Sequence, residues 1–219
     1  MTGTQEDEPG TVGATETSFA IIGYLRRQSG ANVTEVATAL DLSKSTVYNH
    51  LRTLNRLGYV VKEDTTYHLG LKFLDLGNAA RDRQNLYEVA KGEIDDLVSS
   101  IGEHGYVMVE EMGRGVYIYQ SKTARGMQTD SHIGTTVDLH ATAVGKAYLS
   151  HLPEERRTQL LDDLELLPRT EATYTDRDRL ETELEAVRRQ GFAFNNEERF
   201  VGLRAVGPPV LGPDGGVLA

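Results

Sequence analysis

Ser43, Lys44, Ser45 and Thr46 stand together in "LSKSTVYNHLRTLNRLGYV" (residues 42–60), and Tyr48, Asn49, Arg52 and Arg56 follow them. The set combines hydroxyls, an amide, an aromatic ring and cations, with no carboxylate between residues 42 and 60. Asn and Arg side chains match the donor and acceptor pattern of base edges. Ser, Thr, Lys and a helix N-terminus suit phosphate oxygens. Wound as a helix, the stretch puts Val47, Leu51, Leu54 and Leu57 on one face as core. Ser45, Tyr48, Asn49, Arg52 and Arg56 fall on the opposite face, and Lys44 and Thr46 flank the first turn. The competing reading is a solvated helix face, and the isolated helix does not separate the two.

The neighbouring elements bear on that choice. A helical pattern begins at Thr17, uses Ile21, Ile22 and Leu25, and stops at Ser29-Gly30. A short helix follows in "NVTEVATALDL", with Thr34 as the expected N-cap and Val36, Ala37 and Leu40 as its apolar stripe. Asp41-Leu42 then turns tightly into the polar-faced helix, for which Ser43 is the cap. After Gly58, "YVVKE" and "TYHLG" form a hairpin across Asp64-Thr65. This is a helix-turn-helix with a wing, and the wing presents Lys62, Thr65, Thr66 and His68 to a nucleic-acid backbone or minor groove. A long helical region from about 71 to 101 comes next.

The second half has strand-like "YVMVEEM" and "GVYIYQS", with "GMQTDSHIG" as a candidate third strand. Helices are expected in "TAVGKAYLSHL", capped by Thr142, in "PEERRTQLLDDL", and in "TDRDRLETELEAVRRQG", opened by Thr175 and closed by Gly191. "FAFNN" and "LRAVGPPVL" are strand-like, and "GPDGG" is a hairpin turn before "VLA". The fold class is therefore α+β, a mostly antiparallel sheet with helices against it. The chain stops three residues past that turn, so a C-terminally truncated or abbreviated second domain is expected.

Net charge is −10 and uneven. Residues 1–18 hold four acids and no base, which reads as a disordered acidic tail. Residues 19–77 hold seven Lys/Arg against five Asp/Glu, while the remainder holds sixteen against twenty-four. The one segment that escapes the acidic bias is the one with the candidate reader. Arginine outnumbers lysine, a composition that suits a salt-rich cytosol. The absence of cysteine rules out disulfides and thiolate chemistry, and no transmembrane helix or secretory signal is expected, so the protein reads as cytoplasmic.

"TEVATALDLSKSTVYNHLRTLNRLGYVVKEDTTYHLGLKFLDLG" resembles the winged helix-turn-helix of the IclR family of transcription regulators. "IGTTVDLHATAVGKAYLSHLPEE", "LETELEAVRRQGFAFNNEERFVGLRAVGPPV" and "PDGGVLA" resemble the same family's effector-binding domain. The resemblance covers nearly everything from Ser18 onward. It implies a tail over 1–17, a winged helix-turn-helix domain over 18–77, a linker helix over 78–90 and a GAF-like effector-binding domain over 91–219. It further implies double-stranded DNA with a pseudo-palindromic operator as partner, and a small organic effector, a carboxylate or sugar acid. A homodimer or dimer of dimers is expected on such a site. By position, the effector pocket would use Thr129, Val137, Ala143, Val144, Asn195, Leu203 and Ala205. "LHATAVGKAYL" independently suits an anion, because small residues let backbone N–H groups at a helix start approach it. Asn195-Asn196 stands where the family often has an acidic pair, and Ala143-Val144 makes a less open turn than two glycines, so a different ligand functional group is expected.

Two other classes compete. An enzyme would need a catalytic constellation, yet the six histidines are scattered, and no His pair with a glutamate, G-x-S-x-G elbow or P-loop occurs. No catalytic residue, metal or cofactor is therefore assigned. A pure interaction module, with the acidic half binding a protein, is the other.

Overall fold

The computed structural model describes residues 10–124, 126–127 and 129–219. Most of the acidic tail, residues 1–9, lies outside the described residues. The chain divides into two compact units, 1–80 and 81–219.

The first unit holds α1 (Gly13–Gln28), α2 (Val33–Ala39), α3 (Lys44–Arg56) and the hairpin β1 (Val60–Glu63) with β2 (Thr66–Leu69). α1 starts before Thr17, so 13–17 are helical and not tail. The Thr17 and Ser18 hydroxyls donate back to the Gly13 and Ala14 carbonyls. The helix stops where expected, with Ser29 in the left-handed region at φ 57°. The cap of α2 is Asn32 and not Thr34. Asn32 Oδ1 accepts from the Thr34 and Glu35 amides at 2.9 and 3.0 Å, and Glu35 Oε2 accepts from the Asn32 amide at 2.8 Å. That reciprocal pair is a capping box, placed two residues upstream of the threonine. Asp41, at φ 52°, turns the chain into α3, where Ser43 Oγ accepts from the Thr46 amide at 3.0 Å.

Ile21, Leu25, Val36, Val47, Leu51, Leu54, Val60 and Tyr67 form the core of this unit. Leu57 does not join them and is 49% exposed. α3 ends at Arg56, and Gly58, at φ 82°, bends the chain away before Leu57 can turn inward. The hairpin pairs Glu63 with Thr66 around the expected Asp64-Thr65 turn, and Ala31 bridges to Tyr67 at its other edge.

The helical region 71–101 is two helices. α4 (Lys72–Asp82) has no buried residue, and α5 (Leu86–Ile101) follows after a break at 83–85. "DRQN", residues 82–85, offers no apolar side chain to hold the helix against a core. α5 packs Ala90, Ile94 and Val98 inward, while Val89, Leu97 and Ile101 stay exposed.

In the second unit, β3 (Gly105–Glu111), β4 (Arg114–Ser121) and β5 (Thr136–Val137) make an antiparallel sheet in that order. The segment 126–134 contains no strand among its described residues, and β5 lies beyond it. That segment is tied to β4 by single bonds, such as Gln120 Nε2 donating to the Ser131 carbonyl at 3.0 Å. A 3-10 turn, Leu139–Ala141, leads into α6 (Ala143–His151), and α7 (Glu154–Asp163) and α8 (Arg177–Gln190) follow. Thr142 caps α6 as expected. Asp176, not Thr175, caps α8, because its carboxylate reaches the Arg179 amide at 2.9 Å. β6 (Ala193–Asn196) and β7 (Arg204–Gly207) form a separate antiparallel ribbon. β7 is shorter than "LRAVGPPVL" because Pro208 and Pro209 cannot donate to a ladder. The glycine turn is present, with Gly212 N–H bonded to the Gly216 carbonyl at 2.7 Å. Among the described residues, no helix is long and apolar enough to cross a membrane.

Candidate functional site

On α3 the sequence-assigned polar face is free of the core. Ser43, Lys44, Ser45, Tyr48, Asn49, Arg52 and Arg56 are exposed, and Thr46 is half-buried. Val47, Leu51 and Leu54 on the other face anchor the helix rigidly. The Ser43 hydroxyl meets those of Ser45 and Thr46 at 2.8 Å each, so the first turn is a small hydroxyl cluster. In the wing, Lys62 and Thr65 are exposed and Thr66 is half-buried. His68 is tied elsewhere. Its Nδ1 lies 3.0 Å from the Ser29 carbonyl and its ring covers Gly30, where a Cβ would sit 2.4 Å from it. His68 therefore helps close α1 onto the hairpin.

In the second unit, Val137 is buried in a cluster with Met108, Tyr117, Leu139 and Tyr148, and Tyr106 and Val144 pack against it. Thr129 Oγ1 lies 3.2 Å from the Tyr106 hydroxyl, and the Tyr106 and Tyr117 rings stack at 4.7 Å. Ala143 and Val144 open α6 beside Gly207. A Cβ on Gly207 would fall 2.8 Å from the Val144 nitrogen, so only glycine lets β7 come this close to the start of α6. Asn195 is buried and bonded to the protein through both atoms of its amide. Its Nδ2 donates to the Ala141 carbonyl at 2.7 Å and its Oδ1 accepts from the Glu198 amide at 3.1 Å. These bonds give the amide a structural role in holding the 197–203 loop to the residues ahead of α6. Leu203 is half-buried, and Ala205, across from Asn195, is exposed. The structure thus gathers Thr129, Val137 and Val144 around one cluster, packs Ala143 in another with Ala147, Val187 and Ala193, and leaves Ala205 exposed.

Sequence reasoning missed the centre of this unit. Lys146, on α6, is completely buried. Its Nζ donates to Glu198 Oε1 at 2.8 Å and to Glu183 Oε1 at 3.1 Å, and lies 4.8 Å from the Tyr174 ring centroid. Burial and the two carboxylates push the Tyr174 phenol up to about 12. The available signal was one charge inside the otherwise apolar "ATAVGKAYL". Arg199 was missed too. Its guanidinium donates to Ser131 Oγ at 2.7 Å and closes the 197–203 loop onto the segment that holds Thr129. His140 is also fully buried, with Nε2 3.1 Å from the Leu167 carbonyl. Burial holds its pKa below the ordinary 6.5. Among the described residues, no group of three or more His, Asp or Glu side chains is placed to hold a metal ion.

Comparison with known proteins bears on both units. Residues 14–64 match the model of the IclR helix-turn-helix domain, and residues 78–219 match that of the bacterial transcriptional regulator IclR C-terminal domain. The chain is 32% identical to the probable HTH-type transcriptional regulator ArcR of Halobacterium salinarum, over 94% of this chain and 80% of that protein. It is 31% identical to the HTH-type transcriptional regulator KdgR of Escherichia coli, over 98% of this chain and 82% of that protein. The crystal structure of the Thermotoga maritima IclR superposes with a TM-score of 0.79 at 29% identity, covering 94% of this chain and 84% of that one. These relatives are named as regulators and not as enzymes.

Removing Lys146 leaves two carboxylates facing each other without a cation. Lys146→Ala is expected to lower unfolding stability by about 3–5 kcal/mol, measured by urea denaturation. His140 gives a pH signature. Its folded pKa lies below its unfolded one, so the unfolded chain takes up the extra proton, and stability holds above about 6.5 and falls as pH drops below it. The melting temperature should decline between pH 7 and 5.5, and His140→Leu should flatten that decline.

Proposed function

The chain belongs to the IclR family of transcriptional regulators, and on that premise we propose that α3 reads an operator in the major groove under control of a small organic acid. The observation that carries the reading is the exposed carboxylate-free stripe of Tyr48, Asn49, Arg52 and Arg56 on a helix whose other face is fixed in a core. Asn49 and Arg52 contact base edges. Ser43, Lys44, Ser45 and Thr46 dock the first turn on phosphates. Lys62, Thr65 and Thr66 of the wing add backbone contacts.

One such unit covers few base pairs, so two copies act together on a pseudo-palindromic site. Leu71 and Leu74 beside and on α4, and Phe19 on α1, are 82%, 62% and 64% exposed, and such exposed apolar side chains support a homodimer or a dimer of dimers. The effector enters beside Ala143, Val144 and Thr129. Its acid group meets the start of α6 at Ala143 and Val144, where the helix dipole favours negative charge. To change operator affinity it must bind one arrangement of the paired readers better than another. The protein works where the DNA is, in the cytoplasm.

Operators selected from random duplexes with the full chain provide the test. Asn49→Ala and Arg52→Ala should each weaken binding by about 1–3 kcal/mol per lost base contact and relax preference at one position. Equal binding of wild type and both variants would remove α3 as the reader. For the effector, a thermal-shift screen of sugar acids, keto acids and aromatic acids should find one class that stabilises the chain, by about 2.7 kcal/mol at a hundredfold excess over Kd. No shift from any of them would overturn the acid assignment.

A further inference from the structure

Arginine–carboxylate pairs in the second unit are of two kinds. At Asp138 the carboxylate is the buried partner. Its side chain is 8% exposed, and the partly exposed Arg169 and Arg114 reach it at 2.5 and 3.0 Å. Such a pair ties surface arginines to a fixed point. At Arg199 the roles are reversed. The arginine side chain is 13% exposed, and its acid, Asp130, is 68% exposed. Nη2 lies 3.3 Å from one Asp130 oxygen, while Nη1 donates to the Ser131 hydroxyl at 2.7 Å. The outer nitrogens of one fork are thus divided between a hydroxyl and a single oxygen of a solvated carboxylate. A guanidinium suits a carboxylate best when two nitrogens meet both oxygens. An exposed, single-contact partner contributes little and is easily exchanged. Arg199 is therefore a nearly buried cation held by a counter-ion that can leave.

This cation borders the cluster that holds Val137. The guanidinium stands beside the Tyr117 phenol, which burial pushes up and the cation draws back down. Tyr117 stacks on Tyr106, whose hydroxyl lies 3.2 Å from Thr129 Oγ1, and the Ser131 amide donates to that same oxygen at 3.3 Å. Val144 packs against the cluster that contains Tyr117, so Arg199 and the start of α6 border the same group of side chains. The Phe200 ring, its centroid 4.6 Å from the guanidinium carbon, steadies the cation by a cation–π contact. A second cation is close, for Lys122 Nζ lies 3.4 Å from the Ser131 carbonyl. With Asp130 displaced, two cations remain beside Ser131.

We propose that the effector is a dicarboxylic acid whose second carboxylate takes the place of Asp130 on Arg199. Asp130 is then the chain's own stand-in for that group. The first carboxylate goes to the start of α6, and the proposal rests on that reading of the effector site. Selectivity follows from the exchange. A monoacid leaves Arg199 with Asp130 and gains nothing there, whereas a diacid replaces a single contact with a forked pair and returns Asp130 to water. The exchange also unties Asp130 from the 197–203 loop, the loop that carries Glu198. A diacid thus makes a contact that differs between two arrangements of the chain, as a switch requires.

The test is isothermal titration calorimetry of the full chain with malonate, succinate, glutarate and adipate. Each is compared with its half-amide, which keeps the length and one carboxylate. At least one diacid should bind about ten- to a hundredfold more tightly than its half-amide, the range expected for a hydrogen-bonded charge pair. Arg199→Gln should remove that advantage and leave the half-amide's affinity unchanged. Arg199→Lys should keep only part of it, because an ammonium makes no fork. Asp130→Asn should raise the diacid's affinity several-fold, since the competing carboxylate is gone; a clip that merely braced the loop would give no such gain. A diacid advantage that survives Arg199→Gln, an equal loss for the half-amide, or no gain in Asp130→Asn overturns the proposal. If half-amides bind and the diacids gain nothing over them, the exchange fails while the acid site at α6 stands. If no acid binds, the α6 reading fails and takes this one with it.

Discussion

A fully buried ammonium organises the second unit. Lys146 cannot be solvated where it sits, so its position requires Glu198 and Glu183 to be there as well. Glu183 belongs to α8, and Glu198 to the loop that joins β6 and β7. The pairing therefore draws α6, α8 and the β6–β7 ribbon to one point. The loop is fastened further by its main chain. The Thr173 hydroxyl donates to the Glu198 carbonyl at 2.6 Å, and the Glu198 amide bonds Asn195, which in turn bonds the Ala141 carbonyl ahead of α6. Starting at Lys146, these bonds form a closed circuit that returns to the N-terminal end of the same helix. The first turn of α6 is held in place by charges buried behind it.

The first unit solves a different problem. A helix that reads DNA must be held firmly on one face and left unencumbered on the other. Val47, Leu51 and Leu54 provide the first condition, and the absence of acids on the opposite face provides the second. Twenty-eight of the thirty-three acids lie outside residues 19–77, so the unit with the helix-turn-helix escapes the net charge of −10. Within this unit Glu35 is turned into a helix cap, so its carboxylate stabilises the start of α2.

Much of this was legible beforehand. Caps, stops and stripes are local, so α3, its Ser43 cap, the Asp64-Thr65 turn and the Gly191 stop all follow from a few neighbouring residues. Errors arose where two local signals competed. Thr34 and Asn32 are both good caps, and the reciprocal bond from Glu35 selects Asn32. Thr175 and Asp176 compete in the same way for α8. The helical region across 71–101 divides at four polar residues, 82–85, that no core supports. In the second unit, the two hydrogen bonds that tie Asn195 to Ala141 and Glu198 join parts of the chain that no local pattern connects.

By itself the sequence determined the order of elements, the amphipathic division of α3 and the separation of a near-neutral reader from an acidic remainder, because these depend on spacing and composition within short windows. Only the tertiary structure decided which polar groups lost water. Lys146 and Glu198 lie fifty-two residues apart, and Arg199 and Ser131 sixty-eight. Burial is a property of what packs around a residue from distant parts of the chain, and no local pattern encodes it.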